Sequence, residues 1–84
     1  MTHAFHSDAA EKILAELTAR EQAAVETVRR ALEDAPGRGR PLPSTDTHAA
    51  EVLPDETGGR GLSVVYRHDP DLDAVLILWL IAGP

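Results

Sequence analysis

Four histidines are the side chains of this sequence best suited to proton transfer. His68 ends an alternating apolar segment, and an ordinary histidine pKa of about 6.5 suits a general acid or base near neutral pH. His48 precedes a predicted strand that could line a site, whereas His3 and His6 lie near the N-terminus. The four are scattered and the chain has no cysteine, so no zinc motif is present. The sequence predicts neither a metal site nor a cofactor site.

Three aspartates, Asp69, Asp71 and Asp73, have the spacing of the first ligands in a calcium-binding loop. The rest of that motif is missing, because the sixth position is not glycine and the twelfth is Leu80 instead of glutamate. A phosphate-binding loop lies between a strand and a helix, and the glycine-rich residues 58–61 do not. We therefore predict that the aspartates belong to an exposed hairpin turn and that residues 58–61 form another turn.

Length and composition predict one small domain over residues 1–84. Apolar residues make up 43% of the chain, which is typical of a globular protein. The formal net charge of −6 counts against a nucleic-acid binder that works by general positive charge. The longest apolar run, residues 74–82, is far shorter than the roughly 20 residues of a membrane-spanning helix. No signal-peptide pattern is visible, so we expect a cytoplasmic protein that does not associate with membranes.

Hydrophobic periodicity divides the chain into a helical part, residues 8–34, and a strand-forming part, residues 49–82. Within the helical part, Thr18 and Glu21 have capping-box spacing, which we interpret as a break between two helices. Residues 2–6 fit a short preceding strand. Glycines and prolines fill the predicted linker, residues 35–44. The later strands are predicted over residues 49–53, 62–68 and 74–82, with turns over residues 58–61 and 69–72.

The last predicted strand is apolar on both faces. Strict alternation places Val75, Ile77, Trp79 and Ile81 on one face and Leu76, Leu78 and Leu80 on the other. Two short helices can cover only one face of a sheet, so the other face needs a protein partner, a second copy of the chain or a hydrophobic ligand. We predict that the partner contacts Leu76, Leu78, Leu80 and Trp79.

The order strand, helix, helix, strand, strand, strand resembles the RelE/ParE superfamily of bacterial type II toxin–antitoxin toxins. The resemblance covers nearly the whole chain and is carried mainly by Val64-Val-Tyr-Arg-His-Asp69, which is similar to a strand and hairpin of that family. Residues 31–36, 39–42 and 74–78 also resemble family segments in the same order. The resemblance implies an α+β fold in which a short N-terminal strand and an αα-hairpin pack with a small antiparallel sheet.

The resemblance also implies a toxin that a cognate antitoxin neutralises. Family members act on a protein target or as ribosome-dependent endoribonucleases that cleave mRNA. For such chemistry, Arg67 and Arg60 are the candidates to bind phosphate, and His68 is the candidate for proton transfer. Ser63 stands where the family commonly has arginine, and residues 81–84 lack the family's basic C-terminal group. The catalytic residues are therefore atypical or missing.

Two further hypotheses remain open at this stage. The chain can be a non-catalytic protein–protein interaction module on the same fold, alone or as a homodimer. It can also be an unrelated small α+β protein, such as an immunity-like or regulatory partner. The doubly apolar last strand favours protein binding in each case.

Overall fold

The computed structural model describes residues 2–43 and 45–83. Ser44, in the predicted linker, and Pro84, at the end of the C-terminal segment, lie outside the described residues. The elements follow in the order β1 (His3–His6), α1 (Asp8–Glu16), α2 (Ala19–Asp34), β2 (Arg40–Pro41), β3 (Thr47–Val52), α3 (Pro54–Thr57), β4 (Leu62–Asp69) and β5 (Ala74–Ala82).

The five strands form one sheet in the order β1-β5-β4-β3-β2. Neighbouring strands from β2 to β5 are antiparallel, because short connections join them, and this agrees with the antiparallel sheet predicted for the three later strands. The first strand is the exception and pairs in parallel with β5. The two helices α1 and α2 supply the crossover connection that a strand entering in parallel requires. The α+β prediction is confirmed, with a mostly antiparallel sheet.

Capping side chains separate the two helices at the place that the sequence predicts. Ser7 caps α1 by accepting a hydrogen bond from the backbone N–H of Ala10. The α1 helix then ends at Leu17, whose backbone is extended. At the start of α2, Thr18 and Glu21 each accept a hydrogen bond from the other's backbone N–H, which is a complete capping box. The interpretation of two helices is therefore confirmed.

The hydrophobic core lies between the helices and one face of the sheet. Val25 and Leu32 of α2 are fully buried, as expected for residues seven apart on one stripe of a helix. They join a cluster with alternate residues of β4 and β5. The sheet contributes Leu62, Val64, Tyr66, Val75, Ile77 and Leu80 to this cluster.

Two short elements were not predicted. The two-residue strand β2 lies within the predicted linker, and α3 occupies the segment before residues 58–61. Pro54 begins α3 and Gly58 ends it with a positive φ of 75°, which favours glycine. The predicted hairpin turn is present, since the Asp69 carboxylate accepts hydrogen bonds from the backbone N–H groups of Asp71 and Leu72.

Candidate partner-binding face of the sheet

The face of the sheet away from the helices, called here the open face, is defined by the strand register. Side chains of directly paired residues share a face, and those of successive residues alternate. Trp79 pairs with Val65, which pairs with Ala49, and Ala49 pairs with Arg40. These paired residues form a row across the strands, and two more rows on the same face flank it. One flanking row contains Phe5, Leu76, Arg67 and Thr47, and the other contains Ile81, Ser63 and Glu51.

A β-bulge in the last strand overturns part of the predicted alternation. Tyr66 pairs with Ile77 and Val65 pairs with Trp79, so Leu78 is an extra residue in β5. After the bulge the faces exchange. Leu80, predicted to contact the partner, therefore lies in the core at 2% exposure. Trp79 instead points to the open face, opposite to the face of Ile77.

One half of the open face, along β5 and β1, is apolar and exposed. Phe5 is 57% exposed, Trp79 is 50% exposed and Ile81 is 51% exposed. An aromatic side chain carries about 150–250 Å² of surface, so the two rings alone leave roughly 200 Å² in water. Leu76 and Val65 are partly buried among them. This group of five residues is called here the apolar half. Phe5 and Ile81 were not among the residues predicted to contact a partner. Ile81 was missed because the bulge moves it to the same face as Leu76.

The other half of the open face is polar and its charges are paired. The Glu51 carboxylate accepts hydrogen bonds from Arg40 at 3.1 Å and from the Ser63 hydroxyl at 2.6 Å. The Ser63 hydroxyl, and then Arg40, hold the pKa of Glu51 below its ordinary value. Arg67 is 49% exposed, and its nearest carboxylate oxygen in Asp46 is 3.9 Å away. Arg67 is therefore the less firmly held of the two arginines on this face.

The three residues predicted for RNA chemistry do not meet in one place. Arg60 precedes β4 and donates a 2.9 Å hydrogen bond to Glu21 of α2, on the helix-covered side. Arg67 lies five residues beyond the start of β4, which is about 16 Å along the strand. His68 has the opposite strand parity to Arg67 and shares the helix side of β4 with Tyr66. Only Arg67 of the three reaches the open face.

Tyr66 and His48 form a structural pair on the helix side of the sheet. Their rings stack with centroids 5.4 Å apart. The Tyr66 ring is fully buried, its hydroxyl accepts a hydrogen bond from the backbone N–H of Gly39, and burial raises the Tyr66 pKa. The Tyr66 hydroxyl therefore holds the segment that leads into β2, and His48 packs against the Tyr66 ring. Neither contributes a side chain to the open face.

Both edges of the sheet offer little for strand addition. At the β1 edge, the Ala4 backbone N–H donates to Glu33, and Arg29 donates to the Ala4 carbonyl oxygen. These two side chains of α2 occupy the outward-facing backbone groups of Ala4, which a further strand would use. At the other edge, β2 has only two residues and one of them, Pro41, has no N–H. A partner therefore has the open face, rather than an edge, as its main accessible surface.

Metal binding and membrane spanning find no support in the parts of the chain that the structure describes. Among residues 2–43 and 45–83, no group of three or more histidine, aspartate or glutamate side chains could hold a metal ion. None of the helices formed by these residues is long and apolar enough to cross a membrane.

Solved structures resemble this fold over the full chain. A chain of the Mycobacterium tuberculosis RelBE2 toxin–antitoxin complex matches with a TM-score of 0.83 and 26% identity, covering 98% of each chain. The intact Escherichia coli RelBE complex matches with a TM-score of 0.82 and 10% identity, covering 100% of this chain and 99% of the other. The isolated E. coli RelE toxin matches with a TM-score of 0.81 and 10% identity, covering 100% and 86%.

The resemblance to known proteins is clear in the structure and weak in the sequence. No protein-family model matches the chain, and no curated protein matches it significantly. The two E. coli matches, at 10% identity, show similarity of fold alone. The M. tuberculosis match adds 26% sequence identity over nearly the whole chain. The helices, the sheet order and the full-length superpositions agree with the predicted resemblance. The chain therefore has a RelE-like toxin fold.

Proposed function

We propose that this chain is the toxin-type component of a toxin–antitoxin pair and that a cognate antitoxin protein binds its open face. The similarity to a chain of the M. tuberculosis toxin–antitoxin complex supports this class of protein. The observation that carries the proposal is the apolar half, where Phe5, Trp79 and Ile81 each keep about half of their surface in water. Exposed apolar patches of this kind mark interaction sites in soluble proteins.

A protein partner fits the chemistry of the open face better than a nucleic acid does. The apolar half contains no cation, and the chain as a whole carries a net charge of −6. On the polar half, Arg40 is already bound to Glu51. Nucleic-acid affinity depends chiefly on free cations that contact phosphates. Burial of aromatic side chains is instead the usual source of affinity between proteins.

Cleavage of mRNA on the ribosome is the second candidate function, and the half-exposed Arg67 is the observation that favours it. A cation at this position could bind a phosphate of RNA beside the aromatic rings of the apolar half. The proposed roles of Arg60 and His68 receive no such support, because Arg60 is bound to Glu21 and His68 lies on the helix side. We therefore favour a toxin that acts by binding a protein over one that cleaves RNA.

Expression in growing bacteria tests both candidates together. The chain is induced alone and with the small protein encoded beside its gene. We expect growth arrest when the chain is alone, recovery when both proteins are present, and intact mRNA throughout. Arg67→Ala is compared with Arg30→Ala, a control on the outer surface of α2 whose side chain is 75% exposed. Both variants should arrest growth as the wild-type chain does.

Two outcomes would contradict this account in different ways. Normal growth together with no co-purification of the neighbouring protein would reject the toxin–antitoxin proposal. Fragmented mRNA with the wild-type chain and with Arg30→Ala, but intact mRNA with Arg67→Ala, would instead establish RNA cleavage and give Arg67 a direct role. Loss of one phosphate-binding donor typically slows such a reaction by about 100- to 1,000-fold.

A further inference from the structure

We propose that the antitoxin is anchored to this chain by one large, uncharged apolar side chain that enters a notch at the end of the open face. The notch lies where β3 and β5 end and β4 begins. This inference rests on the function proposed above and adds the place and the chemistry of the main contact. A few deeply seated side chains usually carry most of the affinity of a protein interface.

Apolar side chains form the walls of the notch. Leu53 and Pro54 line it from the segment after β3, and Ile81 lines it from β5. Its volume is about 460 Å³. Sites of roughly 300–1,000 Å³ accommodate whole small molecules, so this one has ample room for a leucine or an aromatic side chain. Ser63 and Glu51 form its polar rim.

Two glycines form part of the lining of the notch. Gly61 and Gly83 are joined by a hydrogen bond from the Gly83 N–H to the Gly61 carbonyl oxygen, and both line the notch with backbone. A Cβ atom on Gly61 would lie 2.9 Å from the Val52 carbonyl oxygen, and one on Gly83 would lie 3.2 Å from the Gly61 carbonyl oxygen. Side chains at these positions would require the strands to move. Glycine at both positions therefore permits the close backbone packing at this end of the sheet.

The notch continues the apolar half of the open face. Ile81 belongs to both, and Leu53 extends the apolar surface to the far side of the notch with 61% of its area exposed. A chain that lies along the apolar half therefore reaches the notch without crossing a charged region. A continuous apolar surface that ends in a concave site is the arrangement expected around an anchoring side chain.

The charges around the notch favour an uncharged occupant. Among the described residues that line it, Glu51 alone has an ionisable side chain, and that carboxylate already accepts hydrogen bonds from Arg40 and Ser63. A cationic side chain could pair only with this half-exposed carboxylate, whose charge Arg40 already offsets, so it would gain little. An anionic side chain would be repelled by Glu51, whose lowered pKa keeps it charged at neutral pH. An apolar side chain meets neither cost.

A second copy of the chain fits this surface less well than an antitoxin does. The three most exposed residues of the apolar half, Phe5, Trp79 and Ile81, offer roughly 300 Å² of surface. A stable interface buries about 800 Å² per partner. Pairing between strand edges could enlarge the contact between copies, but Glu33 and Arg29 occupy the β1 edge. A separate antitoxin chain can extend beyond the open face and bury the remaining area elsewhere.

Charge placed in the notch provides the test. Leu53→Asp adds an anion at a position whose side chain is 61% exposed, and aspartate is favourable at the start of a helix, where this residue lies. Leu72→Asp is the matched control, because Leu72 is 75% exposed in the β4–β5 turn and is absent from the notch. Binding of the antitoxin encoded beside the gene is measured by calorimetry, and folding is checked by circular dichroism.

We expect Leu53→Asp to weaken antitoxin binding by about 30-fold or more, the usual size of a dominant contact. Leu72→Asp should change it less than about threefold. Leu53→Ala, which shortens one wall without adding charge, should give an intermediate loss and should remain folded.

Three results would overturn the proposal. Equal binding by Leu53→Asp and Leu72→Asp would reject the notch as the anchor while leaving the toxin–antitoxin function in place. A wild-type chain that fails to bind the antitoxin would reject the function and the anchor together. Light scattering that shows a wild-type dimer and a Leu53→Asp monomer would identify a second copy as the occupant.

Discussion

The two faces of the sheet use the same kinds of side chains for different purposes. On the helix-covered face, Val64, Tyr66 and Ile77 are fully buried against α2 and its neighbours. On the open face, Phe5 and Trp79 are about half exposed. Both faces carry large apolar side chains, but these side chains are buried on the helix-covered face only. The first face therefore holds the fold together, and the exposure of the second supports the proposal that a partner binds there.

Two isoleucines of β5 provide the sharpest comparison of the faces. Ile77 is fully buried, whereas Ile81 is 51% exposed. We expect Ile77→Ala to lower the free energy of unfolding by about 3 kcal/mol, because it removes buried surface and leaves a cavity. Ile81→Ala should lower it by less than about 1 kcal/mol. Urea denaturation followed by circular dichroism measures both values.

The loss at Ile77 is large for this chain, because a domain of this size has a total stability of only about 5 kcal/mol. Antitoxin affinity should show the opposite order, with Ile81→Ala weakening binding and Ile77→Ala, where still folded, leaving it nearly unchanged. Equal destabilisation by the two variants would mean that the open face also contributes to the core.

An ion pair associated with each face provides a second comparison. Glu21 is buried and bound to Arg60, whereas Glu51 and Arg40 are both largely exposed. The hydrogen bond from Arg60, followed by that from the Thr18 backbone, lowers the Glu21 pKa. A lowered carboxylate pKa stabilises the fold above the pKa of the unfolded chain, about 4.3, and this contribution is lost as the pH falls through the folded value.

We therefore expect Arg60→Ala to lower the urea midpoint clearly at pH 7, and this deficit should shrink as the pH is lowered from 7 towards 3 and the charge of Glu21 is progressively lost. Arg40→Ala should change the midpoint little at either pH, since exposed ion pairs contribute little to stability. The measurement is the urea midpoint of the three proteins across this pH range. A deficit of Arg60→Ala that stays constant down to pH 3 would show that Arg60 acts through packing and not through the Glu21 charge.

Local patterns in the sequence were sufficient to predict most of the fold. The break between α1 and α2 follows from Thr18 and Glu21, which are three residues apart and satisfy each other's backbone groups. The burial of Tyr66 follows from simple alternation along β4. Such features depend on neighbours in the chain, so a single sequence contains the information that predicts them.

Features that depend on distant contacts could not be predicted in the same way. The bulge at Leu78 shifts one strand against another by a residue, and alternation within β5 cannot reveal such a shift. It moved Leu80 into the core and brought Ile81 onto the open face. Likewise, the partner of Arg60 is Glu21, 39 residues away, and only the packing of α2 beside the start of β4 brings them together. The site predicted around Arg60 and Arg67 was therefore divided between the two faces.

Trp79 allows the most direct test of the account, because it is the only tryptophan in the chain and lies in the apolar half. Its fluorescence is recorded while an antitoxin without tryptophan, or with its tryptophans replaced by phenylalanine, is added. The account predicts that the emission shifts to shorter wavelength and that quenching by acrylamide decreases as the complex forms. An antitoxin that binds by calorimetry but leaves the emission and quenching of Trp79 unchanged would contradict the claim that the open face is the partner-binding surface.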